Sequence, residues 1–273
     1  MRKIIVILLS LFVITGALTG CGQAKGETIK VGITGSDTRV WDYIKEKAKK
    51  EGINIEVVTF NDYVQPNLAL ADGDIDANAF QTITYFNEFK KQRHLSLTAI
   101  GTTVLAPMGL YSKKYKEVKS IPNGSTITIP NDPTNAGRAL LLLQKAGLIG
   151  LKKGFDGHGS IEAITSNPKK LNIVPVEAPQ TPRSLEDAAA AVINNGIAVD
   201  AGFNPIKDPI FREDQTAMRY INIIAVQTKD KDNPKLQKLV KIYHSKDVQK
   251  QIEKIYKGAQ IPTVVPISEI ENL

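Results

Sequence analysis

The chain has little of what covalent and metal frameworks require. Its 273 residues include one cysteine and three histidines. A single cysteine excludes an internal disulfide framework and a zinc site built on cysteines. His94, His158 and His244 stand far apart, with no pair at the i, i+4 spacing that puts two ligands on one helix face. The sequence therefore predicts no metal site, and we expect no cofactor.

Concentrated positive charge is also missing outside the N-terminus. The net charge is +7, from 35 basic and 28 acidic residues. The lysines alternate with acids, as in EKAKKE (46–51) and KDKDNPK (229–235). Scattered lysine is typical of a solvated surface rather than of a nucleic-acid-binding stripe. With a mean hydropathy of -0.14, the chain is not a polytopic membrane protein, and its length suits one large or two modest domains.

The N-terminus carries an apolar run that is too short to span a bilayer. Residues 4–14 are apolar except for Ser10 and follow the positive start Met-Arg-Lys, whereas a spanning helix needs about 20 residues. This pattern predicts a signal peptide over 1–20. The next residues, Leu-Thr-Gly-Cys, resemble the lipobox of bacterial lipoproteins, which implies cleavage before Cys21 and lipidation of that cysteine. We therefore expect a lipid-anchored linker over 21–27 and a location on the extracytoplasmic face of the cell membrane.

The rest of the chain shows two similar α/β patterns. Alternating residues predict strands over 28–34 and 53–60, with a helix to Lys50 between them. A second pattern places a strand over 126–129, a helix over 136–146 and a strand over 171–176, followed by a helix start at Thr181-Pro182. Strand, helix, strand order predicts parallel βαβ units.

Two extended segments, near 104–112 and 218–226, join these halves. The sequence therefore predicts an α/β, bilobal fold of two βαβ lobes, with the ligand in a cleft between the lobes. Together with the lipid anchor, this is the outline of a solute-binding component of an importer.

Two other classes are weighed against a binding protein. An enzyme finds little support, since the chain lacks a Gly-x-Ser-x-Gly elbow and a P-loop. The glycine-rich run 154–159 is interpreted as a surface turn. The carboxylates at 72, 74 and 76 are interpreted as turn and capping chemistry rather than a cation loop. A surface interaction lipoprotein without a transport role stays open.

Four segments carry a resemblance that covers nearly the whole chain after Thr28. They are YVQPNLAL (63–70), DGDIDANAFQ (72–81), PNDPTNAGRAL (130–140) and AVINN (191–195). Together they resemble the NlpA family of lipoproteins, the methionine-binding components of methionine ABC importers. The resemblance implies a type II periplasmic-binding-protein fold, with lobe 1 over 28–106, lobe 2 over 107–221 and a return to lobe 1 over 222–273. It also implies a monomer without enzymatic activity that works with a separate membrane permease and ATPase.

The resemblance implies a site for an amino acid. Arg138 matches the arginine that holds the ligand carboxylate, a role that suits the planar guanidinium fork. Asn195 and Asn222 match asparagines that fix the head group, and Asn135 is expected to support Arg138 or to reach the carboxylate itself. The aromatic pocket around the thioether is expected at Tyr63, Phe80 and Tyr85.

The chain departs from the family pattern at one point of this pocket. Thr82 stands where the family commonly has histidine, and Thr84 where it has proline. Loss of the imidazole predicts a pocket that is larger or differently hydrogen-bonded. We therefore expect L-methionine as the ligand, with D-methionine or a methionine-containing dipeptide as the alternatives.

Overall fold

The computed structural model describes residues 28–215 and 217–273. The predicted signal peptide, the lipidation site Cys21 and the linker lie outside the described residues. Within the described part, no helix has the length and apolar character that crossing a membrane requires.

The strands of the described residues are numbered in chain order. They are β1 (Thr28–Thr34), β2 (Asn54–Phe60), β3 (Ala77–Asn78), β4 (Leu97–Leu105), β5 (Gly109–Tyr111), β6 (Thr126–Pro130), β7 (Gly150–Leu151), β8 (Ile164–Ser166), β9 (Asn172–Val176), β10 (Ala190–Ile193), β11 (Pro209–Arg212), β12 (Ile221–Gln227) and β13 (Ile261–Pro262).

The α-helices of the same residues are numbered in the same way. They are α1 (Arg39–Lys50), α2 (Gln65–Asp72), α3 (Ile83–Gln92), α4 (Pro133–Lys145), α5 (Asn195–Asp200), α6 (Pro234–Tyr243) and α7 (Lys246–Tyr256).

Two sheets organise the described residues into two lobes. The first sheet has the order β13-β4-β12-β3-β1-β2, the second β11-β5-β10-β6-β9, and β7 and β8 form a separate pair. The first lobe consists of the first sheet with α1, α2, α3, α6 and α7; the second lobe consists of the second sheet with α4 and α5. Each lobe has its own buried apolar core, so the bilobal α/β prediction is confirmed.

The first βαβ unit forms as its sequence pattern predicts. β1 and β2 pair in parallel over their whole length, and α1 connects them. Val40, Ile44 and Ala48, spaced four residues apart, are buried against the sheet, because that spacing repeats one face of a helix. After the helix, Gly52 takes a φ of +79°, which glycine adopts without steric penalty, and turns the chain into β2.

Helix α4 begins at a strong capping signal. The Asp132 carboxylate accepts a hydrogen bond from the backbone N–H of Asn135 at 2.9 Å, and Pro133 occupies the first turn, where its missing N–H costs nothing. The first turns of the helix are buried from Thr134 to Leu140. This burial on all sides places Arg138 in the interior of the molecule.

The chain passes between the lobes in two short crossings. The first, 106–108, joins β4 to β5, and the second, 213–220, joins β11 to β12. The lobe boundaries predicted from the sequence, 28–106, 107–221 and 222–273, stay a prediction.

One local expectation needs correction. The helix expected to start at Thr181-Pro182 and to continue over 188–193 is wrong: only a 3-10 turn follows, over Arg183–Glu186, and the apolar residues Ala190–Ile193 then form β10. β10 lies between β5 and β6 in the second sheet, and a short apolar run buried on both faces has no period that distinguishes strand from helix. The run 154–159 lies largely at the surface, as expected, but Gly157 is buried, and its carbonyl lies so close to Gly137 of α4 that any Cβ on Gly137 would overlap it.

Candidate ligand-binding site

A cleft between the two lobes has a cavity volume of about 150 Å³. A water molecule needs only about 10–15 Å³ on the same measure, so a small organic molecule fits. The lining includes all eight residues that the sequence predicts for the site: Tyr63, Phe80, Thr82, Tyr85, Asn135, Arg138, Asn195 and Asn222. The fold thus brings these residues together from both lobes, and their contacts with a ligand stay predictions.

Arg138 is buried at the back of the cleft, and its side chain is 3% exposed. Nε donates to Oε1 of Glu213 at 2.8 Å, and Nη2 donates to Oε2 of Glu213 at 2.5 Å and to the carbonyl of Ala106 at 3.1 Å. The guanidinium carbon lies 4.1 Å from the centre of the Tyr220 ring, a cation–π distance. Nη1 makes no hydrogen bond to any described residue, and Arg138 is one of the residues that line the cleft.

The charge of Arg138 is secured by its partner. Burial opposes the charged form, but the charge and hydrogen bonds of Glu213 outweigh it and raise the pKa of Arg138 above its ordinary value. The site therefore holds a permanent cation that is already paired with one carboxylate.

Two asparagines at the start of α5 present unsatisfied oxygen atoms. Asn195 Nδ2 donates to the carbonyls of Ala259 at 2.9 Å and Pro107 at 3.2 Å, and Asn194 Nδ2 donates to Asn135 Oδ1 at 2.8 Å. Oδ1 of each is buried without a hydrogen-bond partner among the described residues. An unsatisfied buried acceptor costs about 1–3 kcal/mol, so both oxygens favour a ligand that donates.

Asn135 makes other bonds than the expected support of Arg138. Its Nδ2 donates to both carboxylate oxygens of Asp132, at 3.1 and 2.9 Å, and its Oδ1 accepts from Asn194. In this structure Asn135 therefore orients Asn194 rather than the arginine.

Asn222 and Thr82 meet on the opposite side of the cleft. They form an isolated antiparallel bridge that connects β12 to the segment before α3. The side chain of Asn222 makes no hydrogen bond to a described residue, so both its donor and its acceptor can serve a ligand. Thr82 Oγ1 accepts from the backbone N–H of Tyr85 at 3.2 Å and caps α3.

Three aromatic rings form one wall of the cleft. The ring centres of Tyr63 and Phe80 are 5.8 Å apart, those of Tyr63 and Tyr85 6.0 Å, and those of Phe80 and Tyr85 6.3 Å. The Tyr85 hydroxyl donates to the carbonyl of Tyr63 at 2.9 Å. Burial raises the pKa of both tyrosines, so they stay neutral and the wall is suited to an apolar side chain.

A buried polar network holds this wall in place. Asn67 and Gln81 exchange two hydrogen bonds of 2.7 Å, and Asn78 donates to Asn67 Oδ1 at 2.9 Å. All three side chains are at most 3% exposed. Fully paired networks of this kind specify one arrangement, in this case that of the chain on either side of Phe80.

Sequence reasoning missed several polar residues, among them Asn194 and Asp200, which line the cleft, and Glu213, which pairs with Arg138. For Asn194 the signal was present, because it is the first member of the asparagine doublet that the family resemblance includes. Asp200 and Glu213 are single acids in loops or at a helix end, and no local pattern distinguishes them. Among the described residues, no group of three or more His, Cys, Asp or Glu side chains is placed to hold a metal ion.

The fold and the cleft together define the class. Two α/β lobes are joined by two crossings, with a polar corner and an aromatic wall facing each other in the cleft between them. This is a bilobal type II binding protein, a class that holds its ligand without changing it chemically.

The chain belongs to the NlpA lipoprotein family, whose model matches residues 29–264. D-methionine-binding lipoprotein MetQ of Escherichia coli is 46% identical over 251 residues, which cover 90% of this chain and 92% of the relative. A nutrient-binding protein from Burkholderia cenocepacia, solved bound to methionine, is 47% identical, with a TM-score of 0.83 over 86% of this chain and 99% of that one. Protein PG110 from Staphylococcus aureus is 46% identical, with a TM-score of 0.87 over 89% and 97%.

Proposed function

We propose that this protein captures L-methionine outside the cell and delivers it to an ABC importer. The protein is anchored by lipid at Cys21 on the extracytoplasmic face of the cell membrane and acts as a monomer. Its partners are the permease and ATPase subunits, which are separate chains.

The observation that carries the proposal is the pairing of two unlike surfaces in one small cleft. Nη1 of Arg138 offers a donor for a carboxylate, while the asparagine oxygens offer acceptors for an ammonium group. Opposite them stands the wall of Tyr63, Phe80 and Tyr85. An α-amino acid with an apolar side chain satisfies both surfaces at once.

The aromatic wall favours a thioether among apolar side chains. Full burial of a methionine side chain contributes about 1.5–3 kcal/mol, and contacts between sulfur and aromatic rings add about 0.3–1.5 kcal/mol. Micromolar to nanomolar binding corresponds to about −8 to −12 kcal/mol. Head-group bonds to charged and buried partners, about 1.5–3 kcal/mol each, supply the remainder.

D-methionine and a methionine-containing dipeptide are the two other candidate ligands. The Escherichia coli relative carries D-methionine in its name, which favours the D form as the second candidate ligand. Thr82 bonds back to its own helix, which leaves the cleft without an imidazole wall at this point and keeps a methionine-containing dipeptide as a further outcome.

Native mass spectrometry tests the ligand directly. Full-length protein purified in detergent is unfolded, freed of small molecules, refolded, and mixed with equimolar L-methionine, isotopically labelled D-methionine and glycyl-methionine. We expect an added mass of one unlabelled methionine. A labelled adduct assigns the D form, a dipeptide adduct assigns a wider pocket, and refolded protein without any adduct contradicts the proposed function.

A further inference from the structure

Glu213 lies where the two crossings between the lobes meet. Its backbone N–H donates to the carbonyl of Met108 at 3.0 Å, and its Oε2 accepts from the backbone N–H of Met108 at 2.8 Å. Both carboxylate oxygens also hold Arg138. The Glu213 side chain is 13% exposed, so this carboxylate is held in place behind Arg138, which lines the cleft.

The bonds of Glu213 change what Arg138 offers to a ligand. Two of the three guanidinium nitrogens are engaged by Glu213, and one of these also by Ala106. A ligand carboxylate that reaches Nη1 therefore shares one cation with a second, buried carboxylate. Two negative charges across a single guanidinium repel each other in a poorly solvated site.

The other charges of the cleft do not relieve this repulsion. Asp37 lines the cleft and is neutralised by Arg39, whose Nη2 lies 2.6 Å from its Oδ2. Asp200 also lines the cleft, and it accepts hydrogen bonds from the backbone N–H and hydroxyl of Ser36, which bring no charge. The cleft thus holds no surplus positive charge among its described residues.

We propose that Glu213 makes the site selective for zwitterions, that is, for ligands that bring their own cation beside the carboxylate. Glu213 neutralises the positive charge of Arg138, and the ligand's ammonium group supplies a positive charge in its place. An acid without an amino group lacks that compensation and is rejected. Glu213 acts through Arg138 and is a positioning and specificity residue, and this role rests on the proposed function.

The test compares two ligands that differ only in the ammonium group, L-methionine and 4-(methylthio)butanoate. Both are titrated calorimetrically into full-length wild type and into E213Q, which removes the charge and keeps the shape. The affinity ratio of methionine to the desamino acid is the readout. At an effective dielectric constant of about 20, we expect E213Q to reduce this ratio by about tenfold to a hundredfold.

Two further variants separate charge from structure. E213D retains the negative charge and is expected to keep the wild-type ratio even where both affinities fall. E186Q removes a carboxylate that pairs with Lys113 on the surface and is the matched control, with both affinities unchanged. Should E213Q fail to fold by circular dichroism, E213S, which leaves room for water beside Arg138, takes its place.

The titrations distinguish a failure of the proposed function from a failure of the role of Glu213. Wild type that does not bind methionine contradicts the proposed function itself. Wild type that binds methionine while E213Q retains the wild-type ratio overturns the role of Glu213. The same unchanged ratio would be measured if Glu213 moved away from Arg138 on ligand binding, because E213Q would then change the affinities of both ligands by the same factor.

Discussion

The carboxylate of Asp200 in the second lobe is hydrogen-bonded to Ser36 in the first. Asp200 Oδ1 accepts hydrogen bonds from the backbone N–H and from the hydroxyl of Ser36, each at 3.0 Å. Asp200 ends α5 in the second lobe, and Ser36 follows β1 in the first. The neighbouring Gly35 has a φ of +83°, and a Cβ there would overlap the carboxylate. This contact therefore spans the two lobes and requires glycine beside it.

Asp200→Ala is expected to weaken the contact between the lobes and, with it, the binding of a ligand held between them. A hydrogen bond to a charged group contributes about 1.5–3 kcal/mol at most, and this pair is solvent-exposed, so we expect methionine affinity to fall about threefold to tenfold. Calorimetric titration measures the affinity, and X-ray scattering of the ligand-free protein is expected to show a larger radius of gyration.

Asp208→Asn is the matched control for this change. The Asp208 carboxylate accepts a backbone bond from Asn204 within the second lobe, so its loss leaves the contact between lobes intact. Equal effects of both variants, or no effect of either, would show that Asp200 does not hold the lobes together.

Arg138→Ala is expected to abolish tight binding. The ligand carboxylate would be buried without its cation, which costs about 2–5 kcal/mol, and calorimetric titration of methionine measures the loss. The substitution also leaves Glu213 unpaired, so thermal stability should fall in the same variant.

The double variant Arg138→Ala/Glu213→Gln separates these two effects. It is expected to regain thermal stability without regaining affinity, because the unpaired carboxylate is removed while the ligand still lacks a cation. Wild-type affinity for methionine in either variant would show that Arg138 does not bind the ligand carboxylate.

Phe80→Leu is expected to reduce the preference for sulfur. Norleucine has a methylene where methionine has its sulfur, so the ratio of the two affinities isolates the contact between sulfur and ring. This contact is worth about 0.3–1.5 kcal/mol, and the ratio should move toward one in the variant. Phe89→Leu is the control, since Phe89 packs on Tyr85 without lining the cleft. If the affinity ratio changed by the same amount in this control, the result would contradict a contact between the ligand sulfur and the Phe80 ring.

The ion pair between Lys47 and Asp247 gives stability a pH dependence away from the cleft. The pair joins α1 to α7 at 2.9 Å, and hydrogen bonding to Lys47 lowers the pKa of Asp247 to about 2 from its ordinary 3.8. Since the folded-state pKa lies below the unfolded one, this stabilisation is complete above the unfolded pKa and is lost as the pH falls through about 2.

Asp247→Asn tests this dependence. The difference in free energy of unfolding between wild type and variant, measured by urea titration, is expected to be constant from pH 7 to about 5 and to shrink below pH 4. A difference that does not change with pH would mean that the pair contributes nothing through its charge.

Much of the fold follows from local sequence patterns. The predicted strand 28–34 has the bounds of β1, and the helix that ends at Lys50 is α1, because alternation and helical spacing are strong over these lengths. The strand β10 could not be recognised, since four apolar residues that are buried on both faces have no period. Its assignment depends on neighbours that lie far away in the chain.

The residues of the candidate site could also be predicted only in part. Arg138 and the asparagine doublet lie in runs that resemble the family, so their presence in one cleft could be predicted. Glu213 pairs with Arg138 from 75 positions away, and Asp200 meets Ser36 from 164 positions away. Single acids of this kind gain their role only when the lobes come together, and no window of sequence contains both partners.

One titration tests the central proposal most directly: L-methionine added by calorimetry to full-length protein that has been unfolded, freed of ligand and refolded. We expect saturable heat with one methionine bound per chain and a dissociation constant of about micromolar to nanomolar, the range in which about 8–12 kcal/mol of binding free energy falls. Refolded protein with native circular dichroism that gives no saturable heat with methionine would contradict it.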